Sequence, residues 1–160
     1  PSEPSDSANT PNTLVLRDAN GDFSAGVITA IVTNARYADL AEKYKSDAQY
    51  QPGTVLVFGG SMEVTITTKM ADVSVAGVVS TAPAYVMNHE ETDAVTVALR
   101  GKVPVKVVGP VRKGDLLVTS DVPGHAISVG KSSAHSSAVF GKSLEEDLSV
   151  GIKTINAVII

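Results

Sequence analysis

Cysteine and tryptophan are both missing from this chain, and aromatic residues make up only 4% of it. Without cysteine there is no disulfide framework and no thiolate-held metal or cluster. Without tryptophan, and with few rings of any kind, the core has to be built from aliphatic side chains. Long apolar runs are also missing. None approaches the ~20 residues that carry a helix across a bilayer, and no charged-then-apolar leader opens the sequence. Membrane insertion is therefore not expected. Positive charge is scarce as well: Lys and Arg are scattered and the formal net charge is −4. Nucleic-acid binding needs a basic patch or stripe, so nucleic acid is not an expected partner.

What the chain does have is valine, in Val103, Val105, Val107, Val108, Val111 and Val118 among others, within an apolar fraction of 43%. β-Branched residues suit a pleated, half-buried surface, so a mainly β fold is expected. Residues 1–13, rich in Pro, Ser and Asn, cannot bury enough surface to offset ordering and read as a flexible linker from an upstream region. Residues 14–33 form two extended runs around Asn20-Gly21, a dipeptide that tolerates positive φ at both central positions of a hairpin turn. A calcium loop beginning at Asp18, Asn20 and Asp22 fails, because the glycine sits at 21 instead of one residue past Asp22, and Thr29 stands where glutamate is needed.

From Asn34 the period changes. Tyr37, Leu40, Ala41, Tyr44 and Ala48 fall on one stripe of a helix, with Asn34 as N-cap and Pro52-Gly53 as the stop. The spacing predicts one short helix, completing a hairpin-plus-helix arm over residues 14–50. A helix this short needs a partner, and the narrow face of Tyr37, Leu40, Ala41 and Tyr44 fits a three-fold seam. Residues 51–160 read as strands separated by glycine and proline, a compact β-rich domain. Three echoes recur in order: Gly53-Thr54-Val55 with Gly114-Asp115-Leu116, Gly77 with Gly141, and Gly101 with Gly151. They suggest two equivalent halves, about 53–108 and 114–160, with residues 81–96 as a polar insertion in the first.

Three segments together carry a family resemblance. Residues 12–30, NTLVLRDANGDFSAGVITA, resemble a hairpin-like segment found upstream of the C-terminal modules of bacteriophage tail-fibre and receptor-binding proteins. ARYADLAEKY followed by QPGTVLVFGG resembles the lead-in to such a module. Residues 97–126, VALRGKVPVKVVGPVRKGDLLVTSDVPGHA, are the most specific part and are similar to the β-rich terminal domains themselves. The resemblance spans residues 12–160. It implies a homotrimer located in the virion, its N-terminal segments wound about the axis and its β domains at the tip. It also implies attachment to a host cell-surface glycan or protein. Chaperone-type and self-cleaving C-terminal domains of tail spikes supply the alternative function.

Catalytic constellations do not emerge. His89, His125 and His135 lack metal-ligand spacing, though three copies of one histidine on a trimer axis would be another matter. The run from Ser132 to Ser137 around His135 has no nucleophile-elbow glycines and reads as a surface loop. Glu90-Glu91 and Glu145-Glu146-Asp147 lack the aromatic platforms of a carbohydrate cleft and read as solvated acidic turns. The chain is therefore expected to be a structural protein without enzymatic activity or cofactor. Within the insertion, Ala84 to Met87 gives an apolar foot, while Asn88, His89, Glu90, Glu91 and Asp93 form a polar tip, the candidate host contact.

Overall fold

The computed structural model describes residues 17–21, 39–132 and 136–160. Residues 35–160 form one compact unit, and the turn at 18–21 belongs to a separate one. The fold is mainly β, as expected. Ten strands follow in order: β1 (Asp39–Lys45), β2 (Val55–Phe58), β3 (Val64–Ile66), β4 (Val75–Val79), β5 (Tyr85–Met87), β6 (Ala94–Val108), β7 (Leu116–Thr119), β8 (Ala126–Ser128), β9 (Gly141–Ser143) and β10 (Ile152–Ile159). A short 3-10 turn at Ser136–Ala138 is the only helical element among the described residues.

The helix expected from Asn34 onward is a correction. Over its described part the chain is strand β1, antiparallel to β6 from Asp39↔Gly101 to Lys45↔Ala94. The strand is half-covered on both sides, so no clean alternation marked it in the sequence. A chance 3.6-residue spacing of apolar residues stood out instead, and tertiary pairing overrode it. Tyr37 and the upstream residues 34–38 lie outside the described residues, as do both flanks of the expected hairpin. Within that segment residues 18–21 form a turn: Gly21 N–H donates to Asp18 O at 3.0 Å and Asn20 N–H to Asp18 Oδ1 at 2.8 Å. Gly21 has φ +84°, while Asn20 keeps a negative φ. The turn therefore spans Asp18–Gly21, one residue earlier than a turn centred on Asn20-Gly21.

The strands close into two five-strand circuits that share the long β6. In the first, the N-terminal part of β6 pairs with both β1 and β4, β4 with β2, and β2 with β3. A parallel bridge between Ser46 and Val64 returns β3 to the end of β1. In the second, β10 pairs with the C-terminal part of β6 and with β9, β9 with β7, and β7 with β8. A parallel step between β8 and Val107–Val108 closes it. Each circuit encloses aliphatic side chains, and the larger cluster also takes in Val55, Val78 and Ala98 from strands of the first circuit. Leu56, Val64, Val95 and Val97 fill the first, and Leu117, Ala126, Ile155 and Ala157 occupy the matching places in the second. Burying each Val or Leu contributes roughly 1.5–3 kcal/mol, so valine-rich strands suffice where aromatics are few.

Strand partners match between the circuits. Leu56↔Gly77 corresponds to Leu117↔Gly141, and Val79↔Val97 to Ser143↔Ala157. Gly53 and Gly114 each stand two residues before the strands β2 and β7, with φ +82° and +86°. The first two echoes thus mark true equivalents. The third does not: Val97 answers to Ala157, so Gly101 and Gly151 are out of register. The halves are about 39–100 and 101–159 instead of 53–108 and 114–160, and β1 is the counterpart of the C-terminal part of β6.

Gly77 and Gly141 show why glycine recurs. A Cβ on Gly77 would come within 2.4 Å of Ala98 O, and Gly77 also has φ +150°. One on Gly141 would come within 2.9 Å of the equivalent Val158 O, without a positive φ. Gly77→Ala should therefore lower stability by about 2–4 kcal/mol and Gly141→Ala by roughly half as much. Urea unfolding of the two variants checks the order. Equal losses would show that the backbone relaxes away from Ala98 at little cost.

Candidate functional site

The two halves differ most between β4 and β6. Val79 and Val97 stand eighteen residues apart, whereas the equivalent Ser143 and Ala157 stand fourteen apart. The longer connection forms β5 and an exposed loop, residues 88–93. The apolar foot lies along β1 as a parallel strand, with Leu40 opposite Tyr85, Ala41 opposite Val86 and Glu42 opposite Met87. Ala84 N–H donates to Asp39 O at 2.8 Å and continues that ladder.

The loop is held from below by β1. Lys43 Nζ donates to His89 O at 2.8 Å and to Glu91 O at 3.0 Å. Asn88 Nδ2 donates to Glu42 Oε1 at 2.8 Å, and Tyr44 OH to Glu42 Oε2 at 2.7 Å. Glu91 N–H closes on Asn88 O at 3.0 Å, and Ser46 N–H donates to Asp93 O at 3.2 Å. Asn88 and Asp93 adopt φ +51° and +53°, a conformation that Asn and Asp accept more readily than most residues. The backbone is thus fixed while side chains face outward: those of His89 and Glu90 are 76% and 90% exposed. Lys45 lies 3.6 Å from Glu91, a surface pair that contributes little.

The expected seam residues do not share one face. Leu40 is 39% exposed, whereas Ala41, its neighbour on the strand, is fully buried. Tyr44 is half-buried, packs on the first interior and meets Phe58 edge to face with ring centres 5.5 Å apart. Its phenol is pushed up to about 12 by burial first, then by its hydrogen bond to Glu42 and the charges of Glu42 and Glu63. Sequence reasoning missed Lys43, because nothing local links it to carbonyls more than forty positions away.

The remaining candidates are occupied structurally. Asn156 holds Glu145 through its side-chain and backbone N–H groups, and those bonds keep the Glu145 carboxyl below its usual range. Ser149 does the same for Asp147. His125 donates from Nδ1 to Pro123 O at 2.7 Å, the acceptor fixing which nitrogen carries the proton. His135 lies outside the described residues. No group of three His, Asp or Glu side chains converges among the described residues.

Asp39 is the unexpected buried group. It is 5% exposed at the head of β1, and among the described residues neither its Oδ2 nor the buried Ser80 Oγ has a hydrogen-bond partner. Burial pushes its carboxyl above the ordinary range, and the nearby Ser80 hydroxyl, not aligned for a full bond, offsets this only in part. No protein-family model and no curated protein sequence matches this chain.

Two expectations follow. A carboxyl whose pKa is raised by folding leaves the fold most stable below its unfolded pKa and weakens it as pH rises through the folded value. Asp39→Asn should therefore raise the melting temperature at pH 7 and bring no gain at pH 3; a loss at pH 7 would mean that the carboxylate has a partner. Lys43→Met keeps the aliphatic stem but removes both carbonyl contacts. It should make residues 88–93 the first site of limited proteolysis, with about 1–2 kcal/mol lost in global stability. An unchanged cleavage pattern would show that the loop holds itself.

Proposed function

We propose that this chain is the structural tip module of a trimeric viral tail fibre, through which the fibre trimerises and meets the host surface. The ordered resemblance of the three sequence segments supports this reading, and one structural observation carries it. The strand that follows the upstream segment, β1, is stitched into the domain by β6 along its whole length and by β5 over Leu40–Glu42. A fibre joined there is anchored in the sheet, so a load on the shaft is borne by strand hydrogen bonds. Exposed loops carried on such a closed scaffold are the usual place for recognition. Host attachment rests on that exposed surface and no step of bond chemistry is assigned to it.

Light scattering on the purified chain should give the mass of three chains, and the trimer should adsorb to intact host cells. A monomer over the accessible concentration range would remove the trimer. A trimer that leaves cells bare would restrict the module to capping the fibre.

A further inference from the structure

Charge is divided unequally between two halves that share one architecture. Residues 39–100 contain eight acidic and four basic side chains, whereas residues 101–160 contain five acidic and seven basic. The acidic excess of the first half includes Glu90, Glu91 and Asp93 on the excursion. Three cations of the second half gather at the turn before β7, beside the acidic run Glu145-Glu146-Asp147, which is held to the turn by the Val111–Asp147 and Gly114–Ser143 hydrogen bonds. Arg112 and Lys113 are exposed there, and Lys131 lies against the same turn, its Cε 3.7 Å from where a Cβ on Gly114 would sit. None of these three cations forms an ion pair or a side-chain hydrogen bond among the described residues. The equivalent turn of the first half has Gln51 and Pro52 instead, so the positive charge is not needed for the fold.

Exposed apolar side chains accompany each charged group. Beside the basic turn, Val111 and Asp147 bond reciprocally at 2.9 Å, which brings the 148–152 segment next to Arg112. That segment exposes Leu148 by 51%, Val150 by 81% and Ile152 by 64%. The segment is fixed by Lys153, which donates to Ser149 O and lies 3.5 Å from Asp147. Beside the acidic loop, Leu40 and Tyr85 face each other across β1 and β5 and are 39% and 64% exposed. Adjacent large apolar residues left in water mark an interaction surface. An apolar centre edged by charge is the ordinary composition of a protein interface.

We propose that these two surfaces are the two sides of one contact between copies of this chain. The basic, apolar end of the second half of one copy docks on the acidic, apolar excursion of the first half of the next. Because the two surfaces differ, the contact is head-to-tail, and such a contact closes into a ring when its rotation allows. This deepens the homotrimer reading and rests on it. It also turns residues 88–93 towards the neighbouring copy and moves host contact to other surfaces.

Charge reversal on the full chain tests this. Lys113→Glu/Lys131→Glu and Glu90→Lys/Glu91→Lys each set like charges face to face. Each should weaken self-association about a hundredfold or more. The melting temperature of the monomer should stay unchanged in the Lys113/Lys131 variant and fall slightly in the Glu90/Glu91 variant, which sets a second cation beside Lys45. All four substitutions in one chain restore opposite charges across the contact and should restore the wild-type mass by light scattering. Val150→Ser should weaken association without adding salt sensitivity. A wild-type trimer that keeps its mass in both paired variants overturns the contact while leaving trimerisation standing. A wild-type monomer overturns both. Lys113→Glu/Lys131→Glu losing retention on dextran sulfate with its mass unchanged would make the basic turn a polyanion site and overturn the contact.

Discussion

A pair of exchanged backbone hydrogen bonds holds each half of this domain closed. In the first, Gly53 N–H reaches Val79 O at 2.8 Å and Val79 N–H returns to Thr54 O at 2.9 Å. In the second, Gly114 N–H reaches Ser143 O at 2.8 Å and Ser143 N–H returns to Asp115 O at 2.9 Å. Each pair fastens the turn that opens a half's second strand to the end of its fourth. Once fastened, the central strand crosses so close to its neighbour that only glycine fits at 77 and 141. A small aliphatic interior then closes on each side of β6. With so few aromatic rings, such closure matters more than the size of any one side chain, because a closed circuit leaves few strand edges unpaired.

The two halves use a common frame for different ends. Where the second half turns directly from β9 towards β10, the first inserts β5 and the 88–93 loop, clamped by a lysine of β1. Where the first half has Gln51-Pro52, the second has Arg112-Lys113. Asp115 shows how these local changes are accommodated: its buried carboxylate accepts from Arg112 N–H at 2.9 Å and Ser128 Oγ at 2.7 Å. At the matching position Thr54 Oγ1 accepts from Lys106 Nζ at 2.9 Å. The duplicated clasp leaves both surfaces free to diverge, and divergence in charge and apolar exposure is what a head-to-tail contact between copies would require.

Much of the frame was legible in the residues. Valine density predicted sheet, Gly53 and Gly114 announced two equivalent strand starts, and Gly77 and Gly141 announced two equivalent positions, which lie within strands and not at the turns expected for them. Glycine is readable because backbone sterics leave no other residue in such places. The failures have physical causes too. β1 carries charge on both faces because Lys43 and Glu42 serve a loop far along the chain, so its strand period was hidden. The Gly101–Gly151 echo matched residues alike only in being glycine, and it misplaced the boundary between the halves. At the candidate site the sequence showed an apolar foot and a polar tip. It could not show Lys43 beneath the loop, Asp39 buried at its root, or the grouping of Arg112 with Lys131, all of which depend on contacts distant in sequence.

The duplicated clasp is tested most directly by amide hydrogen exchange on the full chain. The N–H groups of Gly53, Val79, Gly114 and Ser143 should all exchange slowly, with protection in the two halves within about tenfold of each other, since opening the clasps requires parting the equivalent strand pairs β2–β4 and β7–β9. Fast, turn-like exchange at Val79 or at Ser143, with its counterpart protected, would contradict two equivalently closed halves.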